Sequence, residues 1–240
     1  MTWRWLISFS LLAVAVQAET VRGVVHLSDS RESDVTRKRD FSGVVVWLVP
    51  SEPGETGEAP RSASATMIQK DKRFTPHILA VEVGTSVSFP NYDPIFHNAF
   101  SNYDGRVFDL GLYAPGTTRK VVFDRPGIVR VFCNIHSTMS AVIVVSPSPW
   151  FATTVETGVF EIKDVPPGDY TLNVFHERAT ADVLGRLKRN VTVAGSAVDL
   201  GVLKVSESGF LPVPHKNKYG ADYMPESEGN ALYPAPRKRQ

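Results

Sequence analysis

Cys133 is the only cysteine in the 240-residue chain. It stands in the run Val131-Phe132-Cys133-Asn134-Ile135-His136-Ser137-Thr138-Met139, where a thiol, an imidazole and a thioether follow one another every third residue. A second imidazole, His97, lies upstream in Phe96-His97-Asn98-Ala99-Phe100. A thiolate is a soft ligand that couples copper to the protein, and two imidazoles suit both copper oxidation states. A distant thioether then tunes the potential, and this set is that of a blue-copper electron-transfer site. Each residue alone has a plainer account: a lone Cys is a small buried apolar group, a lone His is structural and a lone Met fills a core. Taken together, the spacing favours one metal ion held by His97, Cys133, His136 and Met139. Zinc also accepts Cys and His, but its sites rarely use Met, so copper ranks first.

The remaining histidines, His26, His77, His176 and His215, are isolated, and no His-x-His pair occurs. A copper oxidase or reductase needs further imidazoles for a second, substrate-binding centre. No Gly-rich phosphate loop, zinc-protease motif or nucleophile elbow is present. The expectation is a protein that is not an enzyme. His77 reads as a strand residue, and His176-Glu177 as a surface pair at a strand end.

The elements that must position these ligands read as strands, with almost no helix signal. Ile78 to Val83, Ser86 to Phe89, Lys120 to Phe123, Ile128 to Phe132 and Ala141 to Val145 alternate with turn signals such as Gly84-Thr85 and Asp124-Arg125-Pro126-Gly127. Short strands so punctuated argue for a β-sandwich over residues 67–146. Cys133 then ends one strand, His136 and Met139 sit on the loop before the next, and His97 closes the site from a neighbouring segment. Asn98 can fasten that segment to the Cys loop.

A second β unit covers 150–205. The N-terminal residues 20–50 supply two more strands around a polar loop from Ser28 to Asp40. Two strands alone are not stable. They either complete the 150–205 sandwich, with the metal domain inserted between, or add to the metal domain. Residues 51–66 lack large apolar side chains other than what Pro supplies and read as a linker. The tail, 206–240, reads as extended or disordered, unless Tyr219, Tyr223 and Tyr233 pin it across a domain surface.

Residues 1–18 have the form of a secretory signal: Arg4, an apolar stretch from Leu6 to Val16, and Val16-Gln17-Ala18 before Glu19. The stretch is short for a membrane span, although an uncleaved anchor is the alternative. The expectation is an exported, periplasmic chain with no membrane span once processed. Removing this segment takes away Arg4 alone and leaves 25 basic against 25 acidic residues. Net charge therefore gives no reason to expect a nucleic acid partner. A single Cys in an oxidising compartment forms no internal disulfide, and a metal would protect its thiolate.

The stretch from Met67 to Val145 resembles the cupredoxins, the blue-copper family. The matching residues are Phe74-Thr75-Pro76, Val83-Gly84-Thr85, Val87-Ser88-Phe89, Asn91-Tyr92-Asp93, His97-Asn98, Gly127 and Cys133 through Met139. The short Cys-x-x-His-x-x-Met loop is most similar to that of amicyanin. It departs in carrying Ser137 and Thr138 where Pro or a bulky apolar residue usually stands, so the apolar docking patch beside the second His is weaker. The layout resembles exported cupredoxin-domain proteins named for methylamine utilization. The flanking runs Gly23-Val24-Val25, Gly43 to Leu48, Gly158-Val159-Phe160 and Pro167-Gly168-Asp169-Tyr170 look like a carboxypeptidase-regulatory-like sandwich. The resemblance implies an all-β chain: a cupredoxin Greek-key β-sandwich plus a second Ig/transthyretin-like β-sandwich. It implies one type 1 copper on His97, Cys133, His136 and Met139, with His136 as the edge for electron exchange between redox protein partners. The rival readings are a copper chaperone or sensor, and a structural module with a vestigial site.

Overall fold

Alternating apolar residues between turns produce strands almost throughout. The computed structural model describes residues 18–52, 63–102, 105–212 and 214–223. The expected signal segment, residues 53–62 of the linker and the tail beyond 223 lie outside them. The chain is all-β, with two short helices among the described residues.

The first strands are β1 (Glu19–Ser28) and β2 (Val45–Pro50), with helix α1 (Ser33–Thr36) inside the expected Ser28–Asp40 loop. Next come β3 (Ser64–Thr66), β4 (Ile68–Lys70), β5 (Arg73–Thr75), β6 (Ile78–Glu82), β7 (Ser86–Pro90), β8 (Phe100–Ser101), β9 (Phe108–Asp109), β10 (Thr118–Val122), β11 (Gly127–Phe132) and β12 (Ser140–Ser146). The last group is β13 (Phe151–Thr153), β14 (Val159–Val165), β15 (Gly168–Phe175), helix α2 (Ala181–Leu187), β16 (Arg189–Val193) and β17 (Val198–Ser206).

Strands β3 to β12 pair only with one another. A five-stranded sheet in the order β6-β12-β11-β8-β9 faces a three-stranded sheet, β10-β7-β3, and β4-β5 forms a hairpin. Val87, Phe89, Val121, Val129, Val131, Ala141, Ile143 and Val145 meet between the two sheets, with Cys133 and Met139 in the same buried cluster. The strand β3 corrects the linker expectation: residues 64–66 pair with β7 in parallel. Their small side chains give no apolar signal, and the pairing is made by backbone alone. The entry and exit of this unit lie side by side. Ala63 O accepts from Ser86 N–H at 2.9 Å, and Ser146 O accepts from Val83 N–H at 2.9 Å.

The strands on either side in sequence build the other sandwich. β1 pairs with β14 and, in parallel, with β17, while β2 lies between β13 and β15 in a four-stranded sheet ending in β16. Val21, Val25, Leu27, Phe160, Ile162, Leu203 and Val205 of one sheet close on Val46, Leu48, Tyr170, Leu172 and Val191 of the other. Gly158 turns the chain at φ +79, where any Cβ would collide with the carbonyl of Val25. Helix α2 is absent from the sequence reading. It is one short segment capped by Thr180, whose hydroxyl accepts from Val183 N–H, with Asp182 and Arg186 paired across one turn.

β12 joins the two sandwiches. Ala141, Ile143 and Val145 face the core of the β3–β12 unit, while Val142 and Val144 pack on Val45 and Phe175 of the neighbour. This explains the unbroken apolar run Ala141 to Val145, since a strand buried on both faces has no polar side. A polar clasp crosses the same junction. His77 Nδ1 bonds to Ser140 O at 3.0 Å and its Nε2 to Glu177 at 2.8 Å. Arg178 pairs with Glu177 and with Glu207, each at 3.1 Å, and His176 Nε2 meets Glu207 at 2.8 Å. His176 and Glu177 are therefore not a surface pair: adjacent residues on one strand end point to different partners, and His176 is buried.

Two outcomes follow from this junction. Phe175→Ala removes the largest buried apolar side chain of the cluster between the sandwiches and should lower unfolding stability in urea by about 3 kcal/mol. Glu177, by its hydrogen bond, holds the His77 imidazole above its ordinary 6.5. The clasp contribution is then complete below about pH 6.5 and fades as pH rises through the raised value. With His77 about half exposed, the stability difference between wild type and His77→Gln should stay below ~1 kcal/mol. That difference should be greater at pH 6 than at pH 8.5.

Candidate metal centre

The ligand loop is closed by its own backbone. β11 and β12 pair up to Phe132 opposite Ser140, so residues 133 to 139 must turn back within a single short loop. Cys133 N–H donates to Met139 O, and Met139 N–H donates to His136 O, both at 3.1 Å. The second imidazole arrives by strand pairing. Phe100 lies opposite Phe132, which brings the residues just before Phe100 alongside Cys133. His97 is locked there by a two-way bridge with Tyr113: its N–H donates to Tyr113 O at 3.2 Å and its C=O accepts from Tyr113 N–H at 2.9 Å. Asn134 N–H donates to Asn98 Oδ1 at 2.8 Å, tying the two ligand segments together.

Cys133 Sγ lies 3.8 Å from His97 Nδ1 and 3.6 Å from His136 Nδ1. All three donor atoms fall within 4.8 Å of one another, and all three residues are buried. A common metal ion with bonds of ~2.0–2.3 Å places S and N donors roughly 3.6–3.8 Å apart. The donor set and its spacing thus fit a single soft or borderline ion. Cys133 is free of any disulfide. Met139 is fully buried in the cluster that holds Cys133, its backbone forming the far end of the loop.

The outer atoms of His97 fix its inner ones. His97 Nε2 lies 2.6 Å from Asp93 Oδ2. A carboxylate can only accept here, so Nε2 carries the proton and Nδ1 presents a lone pair towards the sulfur. Burial alone would raise the Asp93 carboxyl, but the Lys72 amide, His97 and the Asp71 amide hold it below its ordinary value. Those amides, at 2.9 and 2.6 Å, belong to the tip of the β4–β5 hairpin. Burial outweighs Asp93 at His97 and keeps the imidazole below its ordinary range, in its neutral, ligating form. Asn91 shapes the loop that carries Asp93: its Oδ1 accepts from Asp93 N–H at 3.0 Å and its Nδ2 donates to Ile95 O at 2.8 Å.

Two placements depart from the sequence reading. His136 is only 4 % exposed, although a loop position predicts an open edge. The tail covers it. His215, set aside as isolated, stacks on Phe132 with ring centroids 4.0 Å apart, and Tyr223 donates its hydroxyl to Cys133 O at 2.8 Å. The described tail residues are thus docked on the metal loop; Tyr219 stays 78 % exposed, and Tyr233 lies outside the described residues. Asp93 is the other residue not singled out for the site. Its signal was the four-residue interval to His97, which puts a carboxylate within reach of an imidazole across a turn.

No protein-family model matches the chain. It is similar to the methylamine utilization protein MauL of Methylorubrum extorquens, with 42 % identity over 59 residues. That match takes in 24 % of this chain and 52 % of MauL, so the chain spans about half the length of the curated relative it matches. Among solved structures, a purple cupredoxin from Nitrosopumilus maritimus is 26 % identical over 34 % of this chain and 99 % of its own, with a TM-score of 0.31. A reduced amicyanin variant is 17 % identical over 42 % of this chain and 99 % of its own, with a TM-score of 0.32. The strand pairing and donor geometry above stand independently of these two low-scoring superpositions.

Asp93→Asn should weaken metal binding about 10- to 100-fold, the usual cost of losing such an outer carboxylate. Competition against a chelator of known affinity measures it.

Proposed function

We propose that this cupredoxin-like chain is a periplasmic carrier that passes single electrons between redox proteins through one type 1 copper, and that it catalyses no reaction of its own. The observation that carries the reading is the buried trio of donors, with Cys133 Sγ at 3.8 and 3.6 Å from the two imidazole Nδ1 atoms. Copper bound there supplies a one-electron Cu(II)/Cu(I) couple. Cys133 would contribute the thiolate, His97 and His136 the two imidazoles, and Met139 the thioether that tunes the potential. The chain's own part is rigidity. The closed loop, the His97–Tyr113 bridge and the Asp93 bond hold the ligands in one arrangement that either oxidation state can accept. Burial of both imidazoles keeps water from the donors.

Several observations support the surrounding terms of the reading. The N-terminal segment has the form of an export signal, and no helix among the described residues is long and apolar enough to cross a membrane. The absence of further paired imidazoles in the sequence favours a carrier over an oxidase or reductase. A chaperone that hands on Cu(I) would need accessible, exchangeable ligands; four methionines in all and fully enclosed donors disfavour that role.

Copper-loaded protein should show an intense thiolate-to-copper charge-transfer band with a narrow copper hyperfine splitting, and Cys133→Ser should abolish both. A colourless Cu(II) complex would refute the carrier. Met139→Leu should keep the band and raise the reduction potential in voltammetry; an unchanged potential would remove Met139 from the site.

A further inference from the structure

The ligand loop is roofed by the chain's own C-terminal segment. Residues 217 to 221 form a compact turn: Asn217 Oδ1 accepts from Tyr219 N–H at 2.9 Å and from Ala221 N–H at 3.1 Å. On either side of this turn the segment grips the loop. His215 Nε2–H donates to Ser137 O at 2.7 Å, its ring stacked on Phe132, and Tyr223 donates to Cys133 O at 2.8 Å. The Tyr223 hydroxyl also lies 3.2 Å from His215 Nδ1, so the two rings brace each other. Lys218 adds two further ties: its N–H donates to Asn134 Oδ1 at 2.9 Å and its Nζ meets Asp109 at 2.7 Å. Four residues of the loop or its edge, Phe132, Cys133, Asn134 and Ser137, are thereby engaged from outside by one segment.

These contacts are specific, yet none is strand pairing. A segment held by side-chain bonds and one stacked pair is among the parts of a fold that open most easily. Its contacts fall on Cys133 itself and on Asn134 and Ser137, which flank His136, and both Cys133 and His136 are buried.

We propose that residues 214–223 are an intramolecular cover of the metal centre, clamped by His215 and Tyr223, and that exchange with anything outside, electron or thiol reagent, requires this cover to lift. The accessible fraction then scales every exchange rate at the site, because a species that reacts only with the open form sees its rate reduced by the population of that form. The electron-exchange part of the statement rests on the copper reading; the thiol part does not.

The full chain, as wild type and as His215→Ala/Tyr223→Phe, tests the cover by two readouts. In the metal-free protein, the rate at which a water-soluble aromatic disulfide modifies Cys133 should rise about 30-fold in the double variant, equivalent to ~2 kcal/mol at 1.36 kcal/mol per decade. Each single variant should fall between, and the thermal midpoint should hold, since both sandwiches keep their strand ladders. In the copper-loaded, reduced protein, oxidation by hexacyanoferrate(III) should speed up by a similar factor, and the oxidised product should show the same charge-transfer band as wild type. Equal thiol rates in wild type and double variant overturn the cover. Slower oxidation in the double variant also overturns it, by showing the segment to be the conducting route. A chain that takes up no copper at all defeats the carrier reading, and the thiol rates still decide the cover.

Discussion

A buried sulfur facing two buried imidazole nitrogens is the constraint around which the middle sandwich is organised. These groups are costly to bury without partners, and here they face one another, with the Asp93 carboxylate meeting the outer nitrogen of His97. The fold tolerates them because two different backbone devices hold them. One is a seven-residue loop closed on itself between β11 and β12. The other is the short β8 pairing that sets the His97 segment beside it. From there the support runs outward in sequence-distant steps: the hairpin amides hold Asp93, Asp93 orients His97, and His97 faces Cys133.

The second sandwich packs on β12, with Ile78 and Ala80 of β6 and Ile128 of β11 beside it. β12 gives Ala141, Ile143 and Val145 to the core of the middle sandwich and Val142 and Val144 to the junction, so the strand after the Cys133–Met139 loop is held on both faces. The clasp ends on Ser140 O, the residue after Met139. The neighbouring sandwich therefore steadies the loop's exit, while the tail steadies its outer surface. Neither contributes a donor atom; each limits how far the loop can move.

Legibility in the sequence followed locality. The Cys133–Met139 run carried its own evidence, because strand, loop and strand are contiguous and the loop is too short for many geometries. His97 was recognisable by type, but its nearness to Cys133 depends on the pairing of Phe100 with Phe132, which no local pattern reports. Asp93 looked like an ordinary turn carboxylate, since its partner amides come from a separate hairpin. The docking of the tail on this loop was invisible for a similar reason: it is made by residues about eighty positions downstream, in a stretch with no periodicity. Strand β3 escaped because its one residue packed on the core, Ala65, is too small to give a signal, and α2 because seven residues hold too little pattern to register.

The adjacency of Ala63 and Ser146 at the Glu82–Ser86 turn has a bearing on how the chain is assembled. The outer sandwich must unite Ser30 with Glu207, 177 residues away. Closing so long a loop from an open coil is entropically slow. Once the middle unit has folded, however, its two ends emerge together, and the intervening polymer behaves as a short staple. The geometry favours an order in which the central module condenses before the flanking halves meet, because its own ends then narrow the gap between them. Until they do, β1 stands as a bare edge, open to mispairing with other nascent copies.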